Sequence, residues 1–326
     1  MIQRVIIDTD PGIDDALAIL LALQSPELEV AAITTVSGNV SIDDATRNVF
    51  TVFSVLPPSK RPPVARGAAR PRQKASAFAY GFHGKDGLGG LDQYYDAAGN
   101  ATYPAPLVEI TDRDAADEIL AQLRSTEAPL TIIALGPLTN IAAAIERAPA
   151  IMAKAERIVA MGGAVSVPGN VTPAAEFNIY SDPHAAQMVF ASGISLTLVG
   201  LDITRRVKLS REALPARDIA TSAVGAFLRD CTERAFSYGT KRSGAASITL
   251  HDPLTVGAVI DRSFITTAPM HVQVETRGEV TDGMTVADRR PINPEWKGPP
   301  NVQVGIDVDA DRFVPFFLER ILPPQR

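Results

Sequence analysis

The sequence predicts an α/β fold, a single Rossmann-like domain over 1–326 with a mainly parallel sheet flanked by helices on both faces. Three observations predict it. Short β-branched runs alternate with amphipathic segments along the chain, as strand, helix, strand units require. The 326 residues are 46 % apolar and 21 % charged, which suits a deep core and argues against disorder. No Gly/Ser linker, charge block or shift of composition divides the chain, so one domain is expected.

Val5 to Ile7 form the first strand and lead into Asp8. After Pro11-Gly12, the run from Asp14 to Leu23 keeps its apolar residues on one helical face. Glu29 to Val36 is the next strand, ended by Ser37-Gly38, and Ser41 caps a helix running to about Leu56. Further strands are expected at 130–135, 157–161, 195–201 and 271–276, with helices at 114–124, 138–147, 182–191 and 221–236. The stretch 57–104 is rich in Pro, Gly and Ala, has little periodicity, and is too long for a simple connection. An active-site loop is expected there. No G-x-G-x-x-G fingerprint follows the first strand and no internal repeat stands out.

A net charge of −6 opposes a nucleic-acid partner, because such binding rests on Lys and Arg neutralising phosphates. The basic cluster Lys60, Arg61, Arg66, Arg70, Arg72 and Lys74 is interleaved with Pro and Ala and reads as a solvated loop. Cys231 is alone, so no intrachain disulfide forms. The start, MIQRVIIDTD, lacks the apolar core of a signal peptide, and no stretch reaches the roughly 18 apolar residues of a membrane span. A soluble, cytoplasmic protein without a membrane partner is expected.

The first strand delivers Asp8, Asp10, Asp14 and Asp15 to the sheet edge where open α/β folds bind ligands. Four acids so close repel one another. Capping of the next helix explains Asp14 or Asp15, but not Asp10, which precedes the Pro11-Gly12 turn. A hard cation explains the set better, since calcium takes six to eight oxygen ligands, whereas one Cys and four His leave zinc few partners.

The stretch IIDTDPGIDDALAI, Ile6 to Ile19, resembles the N-terminal signature of the inosine-uridine nucleoside hydrolases. Other segments are similar to that family in the same order: GNV with Asn39, HGKDGLGG from His83, IIALGPLTN with Leu135, MGGA from Met161 followed by Asn170, AEFNI with Glu176, Phe177 and Asn178, and LHDPL with His251 and Asp252. The resemblance covers nearly the whole chain. It implies a calcium cofactor held by Asp10, Asp15, Asp252 and the Leu135 carbonyl, with Asp10 also activating the attacking water. It implies that Asp14, Asn39, Met161, Asn170, Glu176, Phe177 and Asn178 face a small-molecule nucleoside, and that a dimer or tetramer forms. His251 becomes the first candidate to protonate the leaving base, and His83 the second. Phe236 and Tyr238, on a helix before His251, are candidates to stack on the base. Asp282 stands where members of the family often carry Arg, which leaves the choice of base open.

Taken singly, several pieces have plainer explanations. GPLTN is ordinary turn and cap chemistry, His251-Asp252 is a possible cap pair, and aromatics or Met161 on helices and strands are usually packing. Two rival functions stay open from the residues alone. One is a phosphotransfer hydrolase of the haloacid dehalogenase type, with Asp8 as nucleophile and Asp10 as acid-base group. The other is a nucleoside- or calcium-binding protein without catalysis.

Overall fold

The computed structural model describes residues 2–56, 61–105, 110–126, 128–214, 222–291 and 298–322. Its main sheet has eight strands: β1 Gln3–Thr9, β2 Leu28–Thr35, β3 Val64–Arg66, β4 Leu130–Ala134, β5 Arg157–Met161, β6 Leu196–Val199, β9 Ile265–Met270 and β12 Val302–Val308, in the order β3-β2-β1-β4-β5-β6-β12-β9. Within this sheet only the β12–β9 pair is antiparallel, and the short strands β7 Lys208–Ser210 and β8 Ser247–Thr249 pair with each other outside it. The expected parallel α/β architecture is therefore present.

The strand order places the site. From β1 the chain adds β2 and β3 on one side and then returns to lay β4, β5 and β6 on the other. The carboxyl end of β1 is therefore the switch point at which neighbouring loops diverge and open a crevice. Asp8 pairs in register with Thr34 of β2 and Ala134 of β4, so Asp10 and Leu135 emerge side by side. Both faces of β1 are buried, which accounts for its unbroken VII run.

One helical layer holds Ile13–Leu23, Ile42–Val55, Ala223–Ser243, His251–Ile260 and Ala310–Ile321 around a core that includes Leu17, Phe53, Phe227 and Phe313. The other holds Ala115–Arg124, Thr139–Arg147 and Pro183–Phe190 around Ile119, Ile132, Ile158 and Phe190. Helix Ile13–Leu23 packs on helix His251–Ile260, and this carries Asp14 and Asp15 to Asp252. Ser41 caps its helix as expected, accepting the Asp44 N–H at 3.2 Å.

Some elements differ from expectation. The 271–276 run is not a strand of the main sheet: Val272–Val274 (β10) pairs only with Thr285–Ala287 (β11), and its buried valines pack toward helix Pro183–Phe190. The main sheet closes instead with β12 and the edge strand β9, which no expectation covered. β9 carries Pro269 and lacks strict alternation, so it has the pattern of an edge rather than of a central strand. The helix expected from 221 begins at Ala223, and residue 221 lies outside the described residues, as do 57–60 of the expected loop.

The basic cluster faces solvent as expected, with Arg61, Arg66, Arg70 and Arg72 all exposed, and several of its members are also paired. Arg66 bonds Asp43, Arg72 bonds Glu146, Lys74 bonds Asp282 and lies over the Tyr180 ring, and Arg61 lies over Phe53. Lys60 is outside the described residues. Among those residues, no helix is long and apolar enough to cross a membrane.

Candidate active site

Asp15 anchors the first-strand turn. Its carboxylate accepts the Thr9 hydroxyl at 2.6 Å, the Asp10 N–H at 3.3 Å, the Gly12 N–H at 3.0 Å and the Asn39 amide at 3.1 Å. The plain capping explanation is thus partly right for Asp15, which serves the first turn of helix Ile13–Leu23. Asp10 is different. One of its oxygens accepts the Asn39 N–H, while the other, Oδ1, is fully buried with no hydrogen-bond partner. Two glycines make its cradle: a Cβ at Gly38 would stand 2.1 Å from Oδ2, and one at Gly136 would stand 2.6 Å from Oδ1.

Above this floor lies a cavity of about 570 Å³. Asp14 and Asp252 open into it, while Asp10 and Asp15 lie beneath. Carboxylate oxygens of Asp14, Asp15 and Asp252 lie within 4.8 Å of one another, so this converging set holds two of the three acids expected to hold metal, with Asp14 in it where Asp10 was expected.

The β4 and β5 ends form the next wall. The Leu135 carbonyl accepts the Asn178 amide at 2.6 Å, and that amide also reaches the Met161 carbonyl at 3.2 Å. Glu176 caps helix Phe177–Ser181 and accepts the N–H groups of Gly163, Asn178 and Ile179. Asn170 accepts the Phe177 N–H at 2.9 Å. Leu135, Met161, Asn170, Glu176, Phe177 and Asn178 all line the cavity, and Asn39 lines it from the β2 side.

Two histidines complete the wall. The Nδ1 of His251 is 2.8 Å from the Thr204 hydroxyl, and the Nδ1 of His83 accepts the Ile13 N–H at 3.0 Å. Of the long 57–104 stretch, Phe78, Ala79, Phe82 and His83 reach the cavity. Tyr238 also lines it, edge-on to Phe82 with ring centroids 5.3 Å apart.

Phe236 corrects its expectation. It does not line the cavity but points into the core, 1 % exposed, beneath the Arg211 guanidinium. Along a helix, two residues differ by about 200° in direction, so Phe236 and Tyr238 cannot share a face.

Asp8, the nucleophile of the phosphotransfer rival, is also outside the cavity: buried, it accepts the Thr34 hydroxyl and the Asn140 amide. Sequence reasoning missed Phe78, Phe82, Leu201, Arg205 and Lys208, which line the cavity. Arg205, directly after Thr204 and near the end of β6, had only its place near a strand terminus as a signal.

Burial lifts these acids. It pushes Asp8 up to about 6 and, with the charge of Asp15, pushes Asp14 up to about 7. Asp10 and Asp252 stand well above the usual carboxylate range, first through burial and then through the neighbouring acids. Burial pushes both His83 and His251 down to about 4, with the Arg205 charge adding to the effect on His251. Both rings are therefore neutral at pH 7.

Crowded carboxylates with raised affinity for protons, an all-oxygen donor set and a buried orphan oxygen fit a hard divalent cation. The Leu135 carbonyl adds one more oxygen at the same edge.

A sequence profile for the inosine-uridine preferring nucleoside hydrolases matches residues 5–315. A pyrimidine-specific ribonucleoside hydrolase of Salmonella typhi is 38 % identical, with 98 % of this chain and 99 % of that protein covered. Among solved structures, a plant nucleoside hydrolase superposes with a TM-score of 0.88 at 36 % identity, covering 99 % of both chains. A purine-preferring ribonucleoside hydrolase from Gardnerella vaginalis gives 0.87 at 34 %, covering 98 % of both.

Proposed function

This chain belongs to the inosine-uridine preferring nucleoside hydrolase family and is an enzyme of N-glycosyl bonds, and on that premise we propose that it splits ribonucleosides into base and ribose with calcium and Asp10. The observation that carries this reading is the unpartnered Oδ1 of Asp10, buried among acids beneath a cavity of about 570 Å³.

Asp10, Asp15, Asp252 and the Leu135 carbonyl would hold the ion, with Asp14 close by. Calcium, when bound, supplies positive charge that offsets the acids and polarises sugar hydroxyls and water. Asp10 is the base: Asn39 fixes one oxygen, leaving the other to take a proton from water. Asp14, Glu176 and Asn178 orient the ribose, with Asn39, Met161, Asn170 and Phe177 around it. Glu176 is itself fixed by three N–H donors, so it is preorganised before substrate arrives.

At the base end stand His251, His83 and Tyr238. Neutral imidazoles serve the departing base by hydrogen bonding and by passing on a proton, rather than by storing one beforehand. The same reading takes the enzyme to be a cytoplasmic homo-oligomer, dimer or tetramer, which light scattering checks.

The test is a panel of purine and pyrimidine ribonucleosides and their 2′-deoxy counterparts, read by reducing-sugar release with calcium and after exhaustive chelation. Ribose release that needs the ion, and a large preference for ribosides, are expected. Full activity in verified metal-free protein would overturn the calcium assignment, and no sugar release from any nucleoside would overturn the activity.

A further inference from the structure

We infer that Lys74 is a positioning residue for the ribose end of the site, holding the helix Phe177–Ser181 from outside the cavity together with Asp282. This rests on the proposed hydrolysis and concerns two residues that do not line the cavity.

Three segments far apart in sequence meet at one ammonium group. Lys74 lies on the long loop, Tyr180 on the helix Phe177–Ser181, and Asp282 on the turn between β10 and β11. The Nζ of Lys74 donates to the Tyr180 carbonyl at 2.8 Å and to the Asp282 carboxylate at 2.7 Å, and it stands 3.3 Å from the centre of the Tyr180 ring. An ammonium has three protons to donate, so two directed bonds and an aromatic face leave it little freedom. The Lys74 and Asp282 side chains are 23 % and 30 % exposed, which shelters the pair without sealing it from salt. The turn that carries Asp282 also presses on the helix backbone: a Cβ at Gly283 would lie 2.7 Å from the Tyr180 Cα. The loop is fastened once more where the Arg72 N–H donates to the Asp182 carboxylate at 2.9 Å.

The helix needs such support. It has five residues, and its last carbonyls find no partner within it, so groups from elsewhere must fix that end. Its first turn faces the substrate. Phe177 and Asn178 line the cavity, Glu176 caps the helix, and the Asn178 amide donates to the Leu135 carbonyl at 2.6 Å. A tilt at Tyr180 therefore displaces Asn178 and Glu176 together. Misplacement of such groups by about 1 Å costs about 10²-fold in rate. Asp282 accordingly acts at the sugar end through Lys74 and does not read the base directly.

The test uses the full chain at saturating calcium with uridine, inosine and p-nitrophenyl riboside. Wild-type ribose release is read first, and its absence overturns the hydrolase reading and this inference together. Lys74→Met keeps the stem and removes both bonds from Nζ. It should lower kcat/KM by about 10-fold, a part of the loss for a full 1 Å displacement, and by the same factor on all three ribosides, because the defect is on the sugar side. Lys74→Arg should recover most of the rate, and Asp282→Asn, which spares the Tyr180 bond, should lose less than Lys74→Met. Rising salt screens a partly exposed pair, so the ratio of wild type to Lys74→Met should shrink as salt rises. Amide exchange followed by mass spectrometry should quicken over 177–181 and stay unchanged in the main sheet. Wild-type kinetics in Lys74→Met, or a loss confined to the natural nucleosides, would overturn the inference while leaving the hydrolase reading in place. A ratio indifferent to salt, with exchange faster throughout the chain, would reduce Lys74 to a general stabiliser. Thermal melts identify any unfolded variant, and the Arg and Asn variants decide the question if Met does not fold.

Discussion

His83 accepts the backbone N–H of Ile13 through Nδ1 at 3.0 Å, joining a loop to the first turn of a helix 70 residues earlier. The bond fixes more than position. A backbone N–H can only donate, so Nδ1 carries no proton and the neutral ring bears its hydrogen on Nε2. Gly12 makes the approach possible, since a Cβ there would lie 2.5 Å from the ring.

Nitrogen-15 spectra should therefore show His83 as the neutral Nε2–H form from pH 5 to 8, given a proton affinity lowered to about 4 by burial. A protonated Nδ1 in that range would contradict the arrangement. His83→Ala should cost about 1–3 kcal/mol of stability, because the buried Ile13 N–H is left without its acceptor.

Chelation should lower the melting temperature as well as activity. A ligand bound only by the folded state adds about 2.7 kcal/mol at a hundred times its Kd, and the crowded Asp14, Asp15 and Asp252 have most to gain. Melting curves with chelator and with added calcium check this, and identical curves would count against a metal at these acids.

The metal-free protein should also lose stability as pH rises from about 6.5 to 8. The folded Asp14 affinity of about 7 exceeds its ordinary 3.8, so its contribution is complete below 3.8, declines as pH rises from there and is lost by about 7, which leaves Asp10 and Asp252 to carry the trend above it. Asp10 and Asp252 act in the same sense. His83 and His251, lowered from 6.5 to about 4, act oppositely, but only between those values. Each carboxyl that stays protonated in the folded chain but ionises in the unfolded one costs about 1.4 kcal/mol per pH unit. Saturating calcium should flatten the trend, because bound carboxylates are already ionised. Denaturant titrations across this window give the sign, and rising stability without metal would refute it.

Gly38→Ala and Gly136→Ala should disable the enzyme while leaving the fold largely in place. The added carbon would meet Asp10 at 2.1 Å and 2.6 Å respectively, and displacing a catalytic group by about 1 Å costs about 10²-fold in rate. The loss should be larger at Gly38. Kinetics with calcium titration checks both, and near-normal kcat at either position would show that Asp10 tolerates movement.

The sequence by itself determined the β1 turn with its four acids, the alternation of strand and helix, and the order of segments converging on one chemistry. Those features are local: a strand whose last five residues are buried, a cap at Ser41 and the Pro11-Gly12 turn are set by residues next to one another. Tertiary structure decided which distant groups meet. Helix packing brought Asp252 to Asp14 and Asp15, and the segment after β6 set Thr204 against His251. Phe236 and Tyr238 show the reason most plainly. Two aromatics two residues apart are equivalent in sequence, but the rotation of the long helix is fixed by what it packs on. Its inward face meets the core through Phe236, and its other face meets Phe82 through Tyr238, so burial of the whole helix, not the identity of either ring, chose which one borders the cavity.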